Sequence, residues 1–328
     1  MVTDEMIEQD IEKGHNKKSF GKSGLLGFLI GIGVIIPGVS GSTISIIFKL
    51  YKHILYSLSN LFKKFAKCFM FLLPIILGAI IGIISGFFTV RELLNILPFA
   101  TVLLFVGLMS GAFPGVKDEV KDIKPTAKLW ILFALGLVVP ILISVVSSFF
   151  LKTETTTTDS LVQNLSVWKV LLFVVIGYLV AITQVVPGLS ATALLMAFGY
   201  FSPILDSVSL TFWKSNPIVF VVYAALGVGF LLGLFTFSKI LTILFKKAKN
   251  STWFAILGLS LGSIISMLIS PDMVAIYTSW FAGNFSLLDL ILGIVLSIAG
   301  VLVGYSLVRY ERNNPLKNKG INQSQDNV

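Results

Sequence analysis

The chain has 328 residues, 55% of them apolar and 12% charged, with a mean hydropathy of +0.92 and a net charge of +9. Soluble domains do not carry this much apolar surface, so the composition excludes a soluble domain and indicates an all-α polytopic membrane protein. Long unbroken apolar runs, such as residues 129–146, also exclude an outer-membrane barrel, whose strands alternate apolar and polar residues.

The N-terminal region combines a polar tail with an interrupted apolar segment. Residues 1–23 are polar and charged, so we expect a cytoplasmic tail; a signal peptide would have an apolar core. The apolar segment 24–50 is broken by a Pro-Gly-x-Ser motif in IIPGVSGSTISIIFKL, residues 35–50. Its two arms of about a dozen residues each rise roughly 18 Å, which reaches the middle of a bilayer without crossing it. The segment therefore predicts a re-entrant helical hairpin.

Three predicted transmembrane helices follow the hairpin, and the second half of the chain repeats this order. A transmembrane helix needs about 20 apolar residues. The first repeat, 24–150, has its spans at 68–90, 97–113 and 128–150, and a polar external linker follows at 151–167. The second repeat, 168–308, has a hairpin at 168–200 containing VVPGLSATALLMAFGY (185–200), then spans at 217–238, 252–270 and 287–308, and ends in a cytoplasmic tail at 309–328.

The distribution of Lys and Arg residues predicts the orientation in the membrane. If both hairpins return to the side from which they enter, 21 of the 25 basic residues lie on the side of the N-terminus. If each hairpin crosses once instead, the larger group falls to 15. The positive-inside rule favours the first arrangement, which places both termini in the cytoplasm. The same rule explains the positive net charge, so we expect no nucleic-acid partner.

Residues recur along the chain at an offset of 150 to 151 positions. A shift of 150 aligns Pro37, Gly38 and Ser40 with Pro187, Gly188 and Ser190. Each half has three spans, an odd number, so the second half enters the membrane from the opposite side. This is an inverted repeat, an architecture in which transporters bind substrate near the midplane at broken helices. A shift of 151 aligns four glycine pairs: Gly78 with Gly229, Gly82 with Gly233, Gly107 with Gly258, and Gly111 with Gly262.

The two interruptions predict an anion-binding site. A break inside hydrocarbon persists only where protein, water or a ligand satisfies its backbone. Pro lacks an N–H, Gly permits the turn, and Ser40 and Ser190 occupy the N-cap position of the returning arm, whose free N–H groups favour an anion. The alternative is that Pro-Gly only kinks two ordinary helices. The predicted phosphate-binding residues at the two turns are Pro37, Gly38, Ser40, Gly41, Ser42, Thr43, Pro187, Gly188, Ser190, Ala191 and Thr192.

A few other polar residues are candidates for the same function. Thr183 and Gln184 precede the second break and either line its cavity or form helix–helix hydrogen bonds. Arg91 is a further candidate for phosphate binding because its guanidinium offers a fork of donors; the alternative is a surface pair with Glu92. Asp206 and Asp289 lie near segment ends and are candidates for proton binding, or they simply lie at the interface.

Enzymatic and metal chemistry find no support in the sequence. The two histidines, His15 and His53, lie in polar flanks without nearby partner ligands, so we expect no metal site. No Walker loop or paired acidic metal motif is present, so we expect neither catalytic residues nor a cofactor, apart from a coupling proton or sodium ion.

The quoted motifs resemble a known family. IIPGVSGSTISIIFKLY, its echo VVPGLSATALLMAFGYF and the later FVGLMSGAFPGVKDE are similar to those of bacterial polyprenyl-phosphate transporters, with resemblance from about Gly24 to Val308. The second motif departs from the usual PGxSGS of the family at Ala191 and Thr192.

The resemblance implies a translocase of the bacterial cytoplasmic membrane. Its implied substrate is undecaprenyl phosphate, the lipid carrier of cell-wall assembly, which the family returns from the outer to the inner leaflet. Membrane lipids are then its other partners. Two alternatives remain at this point: a secondary transporter of a small soluble anion, and a non-transporting membrane scaffold.

Overall fold

The protein is helical throughout the part of the chain that the structure describes. The computed structural model describes residues 17–38, 44, 53–54, 57, 64–149, 158–186 and 188–313. A 3₁₀ turn at Thr158–Leu161 precedes the fifth of eleven helices in these ranges. The helices are α1 (Lys17–Ile35), α2 (Phe65–Ile96), α3 (Pro98–Asp118), α4 (Ala127–Phe149), α5 (Val167–Val185), α6 (Ala191–Ala197), α7 (Phe201–Ser207), α8 (Leu210–Ser215), α9 (Val219–Leu268), α10 (Pro271–Phe281) and α11 (Leu287–Asn313).

The predicted class, an all-α multi-pass membrane protein, is confirmed. Six helical segments of the described chain are long and apolar enough to cross a bilayer. They are Phe65–Ile96, Pro98–Asp118, Ala127–Phe149, Val167–Val185, Val219–Phe281 and Leu287–Tyr310.

The 50-residue helix α9 contains two of the predicted spans. A continuous helix of that length would measure about 75 Å, more than twice the thickness of a bilayer core. Ala248 has non-helical backbone angles, φ −148° and ψ 49°, and separates residues 219–247 from residues 249–268. Each part is long enough to cross a bilayer core once, and the spans predicted at 217–238 and 252–270 lie on either side of Ala248.

Helix α1 is longer than the predicted hairpin arm, whereas α5 has the length of the apolar arm that precedes the second break. We expected an arm of about a dozen residues before the first break, whereas α1 has 19 residues and begins at Lys17. The residues ahead of the apolar run continue the helix, because lysine is a good helix former and serine is tolerated in a helix. Helix α5 also has 19 residues, about 28 Å, which nearly equals the thickness of the hydrocarbon core.

The chain divides into two compact units. The first unit contains Met1–Val90 and Tyr305–Val328, and the second contains Arg91–Gly304. In the first unit, α1 packs backbone-to-backbone on α2: a Cβ added to Gly78 would overlap the carbonyl oxygen of Gly24, and one added to Gly82 would overlap that of Phe28. Only glycine permits so close an approach between helices.

The second unit contains the same kind of contact between α5 and residues 219–247. A Cβ on Gly229 would overlap the carbonyl oxygen of Val174, and a Cβ on Gly233 would lie 2.7 Å from that of Tyr178. Val174 and Tyr178 follow Gly24 and Phe28 by 150 residues, and the two glycines follow Gly78 and Gly82 by 151. The aligned glycines therefore lie at matching helix contacts inside the two units.

A second pair of matching contacts lies within the second unit. Gly107 on α3 packs against Ser297 on α11, while Gly258 on α9, 151 residues later, packs against Phe133 on α4. Conversely, Gly300 on α11 packs against residues 104 and 108 of α3, and Gly136 on α4 packs against residues 255 and 259 of α9. Helix α3 therefore meets α11 in the way that residues 249–268 meet α4.

Candidate functional site

The second Pro-Gly-x-Ser motif forms a tight turn between α5 and α6. Gly188 has a φ of +80°, in the region that favours glycine. Ser190 follows in an extended conformation, and its Oγ accepts a hydrogen bond from Ala193 N at 3.3 Å. Ser190 is therefore the N-cap of α6, the capping position predicted for it, while its part in binding a phosphate stays a prediction. A capping serine keeps its hydroxyl hydrogen for donation to another group.

This turn is fixed against two other helices of the second unit. Ser260 on α9 donates a hydrogen bond to the Gly188 carbonyl at 2.8 Å, and a Cβ at Gly188 would overlap Cγ2 of Val116 on α3. Val116 and the neighbouring Val186 form a buried apolar cluster with Leu241 and Ile256. Ser260 is the twelfth residue of 249–268, so it lies about 16 Å along that part of α9.

The first Pro-Gly-x-Ser motif has the same backbone features where the structure describes it. Gly38 has a φ of +82°, close to that of Gly188. Ahead of it, Ile36 N donates to Ile32 O at 3.1 Å, as Val186 N donates to Ile182 O at 2.9 Å in the second motif. The predicted site residues Ser40, Gly41, Ser42, Thr43 and Pro187 lie outside the described residues, so their role stays a prediction.

The polar residues around the second turn differ in burial. Ser190 and Thr192 are buried, Ala191 is partly buried and Gly188 is exposed. Gln184 is exposed, whereas Thr183 is buried and donates from Oγ1 to the Val180 carbonyl of its own helix at 2.7 Å. The bond of Thr183 is therefore not the helix–helix hydrogen bond considered from the sequence.

Arg91 forms an ion pair that the sequence did not predict. Its Nε lies 2.9 Å from Asp206 Oδ1 on α7, and both side chains are partly exposed, at 28% and 37%. Glu92, which the sequence offered as the alternative partner of Arg91, is exposed. Helix α7 packs against the 3₁₀ turn that precedes α5, whereas Gly188 follows the end of α5. Arg91 and the Gly188 turn therefore lie at opposite ends of α5.

Two further aspartates lie near the end of the second unit that contains Arg91. Asp289 is buried, and its carboxylate accepts from Phe99 N at 3.1 Å and from Ala100 N at 2.8 Å. It thus satisfies free N–H groups in the first turn of α3, which is a structural role. Asp272 lies in the first turn of α10, and its Oδ2 atom is buried without a hydrogen-bond partner.

An open apolar groove runs beside α5. Its volume is about 250 Å³, and it lies between α5, α6, α7 and residues 219–247. A Cβ added to Gly227 would meet no atom within 4 Å, so this glycine leaves the groove open. The residues lining it are Gly177, Val180, Leu195, Ile204, Leu226, Gly227 and Phe230.

Among the described residues, no group of three or more His, Cys, Asp or Glu side chains is positioned to hold a metal ion. The polar groups described at the second turn and at the other end of α5 are serine and threonine hydroxyls, backbone N–H groups, the Arg91–Asp206 ion pair and the carboxyl of Asp272. These groups can bind anions and protons.

Comparison with known proteins identifies the family. The profile of the VCA0040-like family, described as undecaprenyl phosphate translocase-like, matches residues 30–283. A polyprenyl-phosphate transporter of Staphylococcus aureus is 27% identical over 279 residues, covering 84% of this chain and 93% of the relative. A polyprenyl-phosphate transporter of Vibrio cholerae is 24% identical over 258 residues, covering 73% of this chain and 75% of the relative. No solved structure matches. The chain belongs to the undecaprenyl phosphate translocase-like family.

Proposed function

We propose that this protein moves undecaprenyl phosphate from the outer to the inner leaflet of the bacterial cytoplasmic membrane, so that the carrier is used again in cell-wall synthesis. The observation that carries the proposal is the pair of Pro-Gly-x-Ser turns, with Gly38 and Gly188 at nearly the same positive φ, in a chain of this family. The names of the two relatives support a polyprenyl phosphate as the substrate class.

The proposed architecture is an inverted repeat in which each half has one re-entrant hairpin and three transmembrane helices. Matching glycine contacts at offsets of 150 and 151 residues support the repeat. Two contacts support a hairpin in the second half: α7 packs against the 3₁₀ turn ahead of α5, and the Tyr200 ring lies 5.7 Å from that of Phe173 on α5. The chain that leaves the Gly188 turn thus returns along α5.

The headgroup site in this proposal consists of the residues at the two turns. The Ser190 hydroxyl, the hydroxyl of buried Thr192 and the N–H groups of the returning arm offer hydrogen bonds to phosphate without a fixed positive charge. A neutral site suits a carrier that must release its substrate, since it binds an anion without a permanent ion pair. Arg91, at the other end of α5, then receives the headgroup at the outer surface.

The groove beside α5 favours a lipid over a soluble anion. Its lining is apolar and it is open along its side, so one isoprenoid chain can occupy it while the headgroup moves. A transporter of a soluble anion would instead need a polar path sealed from lipid. We therefore assign the groove to part of the polyprenyl tail.

Binding experiments separate the proposal from its two alternatives. The purified protein in detergent is heated with undecaprenyl phosphate, with undecaprenol, which lacks the phosphate, or with inorganic phosphate. A ligand at 100 times its dissociation constant stabilises the folded state by about 2.7 kcal/mol, which is readily measured as a rise in melting temperature. We expect a rise with undecaprenyl phosphate alone.

The other outcomes would contradict the proposal. A rise with inorganic phosphate alone would indicate a soluble-anion transporter, and no rise with any of the three would favour a scaffold. An equal rise with undecaprenol would show that the protein does not recognise the phosphate.

A further inference from the structure

Arg91 contacts Asp206 with one edge of its guanidinium and leaves the other edge open. Its Nε donates to Asp206 Oδ1 at 2.9 Å, and among the described residues neither Nη1 nor Nη2 has a hydrogen-bond partner. A guanidinium carries its N–H donors in a rigid plane, so the donors on the two Nη atoms remain available to another acceptor. The Arg91 side chain is also partly exposed, so a ligand can approach it.

The residue that follows Asp206 holds the end of α7 in place. Ser207 is buried, and its Oγ donates to the Ile204 carbonyl at 2.7 Å, which leaves Oγ to accept a hydrogen bond from the Tyr223 hydroxyl at 2.7 Å. The Tyr223 oxygen in turn accepts from Nε1 of Trp213 at 3.2 Å. This chain of hydrogen bonds joins α7 to α8 and α9, so the backbone from which the Asp206 carboxylate projects has a fixed position.

A fixed carboxylate at Nε prepares Arg91 to bind an anion. A long, flexible side chain loses rotamer freedom when it binds a ligand, and that loss weakens binding. Because Asp206 already holds Nε, part of the loss occurs before the ligand arrives. The two opposite charges also cancel, so an anion meets directed N–H donors without a net positive charge, in keeping with a carrier that must release its substrate.

We infer that Asp206 is a positioning residue for the phosphate headgroup: it holds Arg91 at Nε while the Nη groups bind the phosphate. The inference rests on the proposed function and deepens it, because it gives Asp206 a part in recognising the headgroup. The same ion pair could also make Asp206 a competitor of the phosphate. The single contact favours positioning, because a carboxylate that blocked the guanidinium would occupy its fork with both oxygens.

Two substitutions that remove the same charge isolate the positioning role. Asp206→Asn keeps a side-chain oxygen that can accept from Nε of Arg91, whereas Asp206→Ala has none, so the difference between them contains no effect of the lost charge. Each is made in the wild type and in Arg91→Ala. The affinity of the purified protein in detergent is measured by calorimetric titration for undecaprenyl phosphate and for undecaprenol, which lacks the phosphate.

The matched control is the pair Asp159→Asn and Asp159→Ala. Asp159 is an exposed aspartate in the 3₁₀ turn against which α7 packs, so it removes the same charge at the same end of the second unit. If Asp206→Ala does not fold, Asp206→Leu replaces it, because leucine has nearly the shape of asparagine and no acceptor.

We expect Asp206→Asn to bind undecaprenyl phosphate about two- to tenfold more tightly than Asp206→Ala, which is the cost of ordering one long side chain. The two should bind undecaprenol equally, and their difference should vanish in the Arg91→Ala background. A merely structural role of Asp206 in α7 would give the same difference with and without Arg91. The two Asp159 variants should bind each lipid equally.

Other results would overturn the inference. If Asp206→Ala binds undecaprenyl phosphate as tightly as Asp206→Asn or more tightly, or if their difference persists without Arg91, Asp206 does not position Arg91, while the proposed function stands. If the wild type binds no undecaprenyl phosphate, the proposed function fails and the inference fails with it.

Discussion

Replacing Gly188 with alanine tests whether the second turn has the described geometry. At a φ of +80° an alanine is strained by about 1–2 kcal/mol, because its Cβ approaches the following carbonyl oxygen. The same Cβ overlaps Cγ2 of Val116, so the turn must also move away from α3. This movement weakens the Ser260 hydrogen bond, which contributes about 1 kcal/mol. We therefore expect Gly188→Ala to lower the free energy of unfolding by about 2–3 kcal/mol.

A double-mutant cycle separates backbone strain from the clash. Val116→Ala removes the atom that the new Cβ overlaps, so the double variant should recover the steric part of the loss and retain the strain of about 1–2 kcal/mol. Stability is measured by reversible unfolding in detergent micelles, and transport is measured in liposomes. If Gly188→Ala has wild-type stability and transport, or if the two substitutions are simply additive, the turn does not have the geometry described here.

Three further substitutions test other parts of the account. Ser40→Ala with Ser190→Ala should lower transport at least tenfold while the protein remains folded; wild-type transport in this variant would exclude the two hydroxyls from the headgroup site. Gly227→Leu should fill the groove beside α5 without loss of stability, and should weaken binding of undecaprenyl phosphate but not of a short-chain analogue. The control is Gly21→Leu, at an equally open helix position, which should leave the binding of both lipids unchanged. Asp289→Ala leaves two buried N–H groups of α3 without their acceptor and should lower the free energy of unfolding by about 1–3 kcal/mol. An unchanged melting temperature would contradict the capping role.

The features predicted correctly from the sequence are local ones. A Pro-Gly-x-Ser motif between apolar runs contains within four residues the reasons for its turn and cap, so the positive φ of Gly188 and the bond from Ala193 N to Ser190 followed from the residue types. Apolar runs of about 20 residues likewise predicted the membrane helices.

The contacts that the sequence did not predict join residues far apart in the chain. Arg91 and Asp206 are separated by 115 positions, Gly188 and Ser260 by 72, and Asp289 and Ala100 by 189. Each partner has ordinary neighbours in sequence, so no local pattern identifies its distant partner. Ser260 is two residues from both Gly258 and Gly262, so it lies on the other side of the helix from the face on which those glycines pack, and their spacing does not indicate its partner.

The length of α1 also differed from the prediction because hydropathy and helix formation follow different rules. Hydropathy marks the residues that enter lipid, whereas a helix continues into water for as long as its residues tolerate it. Residues 17–23 include three lysines and two serines and are helical, so the apolar boundary at Gly24 is not the start of the helix.

The central claim is that the protein carries undecaprenyl phosphate between leaflets. The most direct measurement reconstitutes the protein in liposomes that contain this lipid and follows its exposure with a membrane-impermeant phosphatase. If the account is right, phosphatase digests about half of the lipid in protein-free liposomes and nearly all of it when the protein is present, and a pH gradient changes the rate. If digestion stops at the same level with and without protein, whether or not a gradient is applied, the protein does not translocate this lipid.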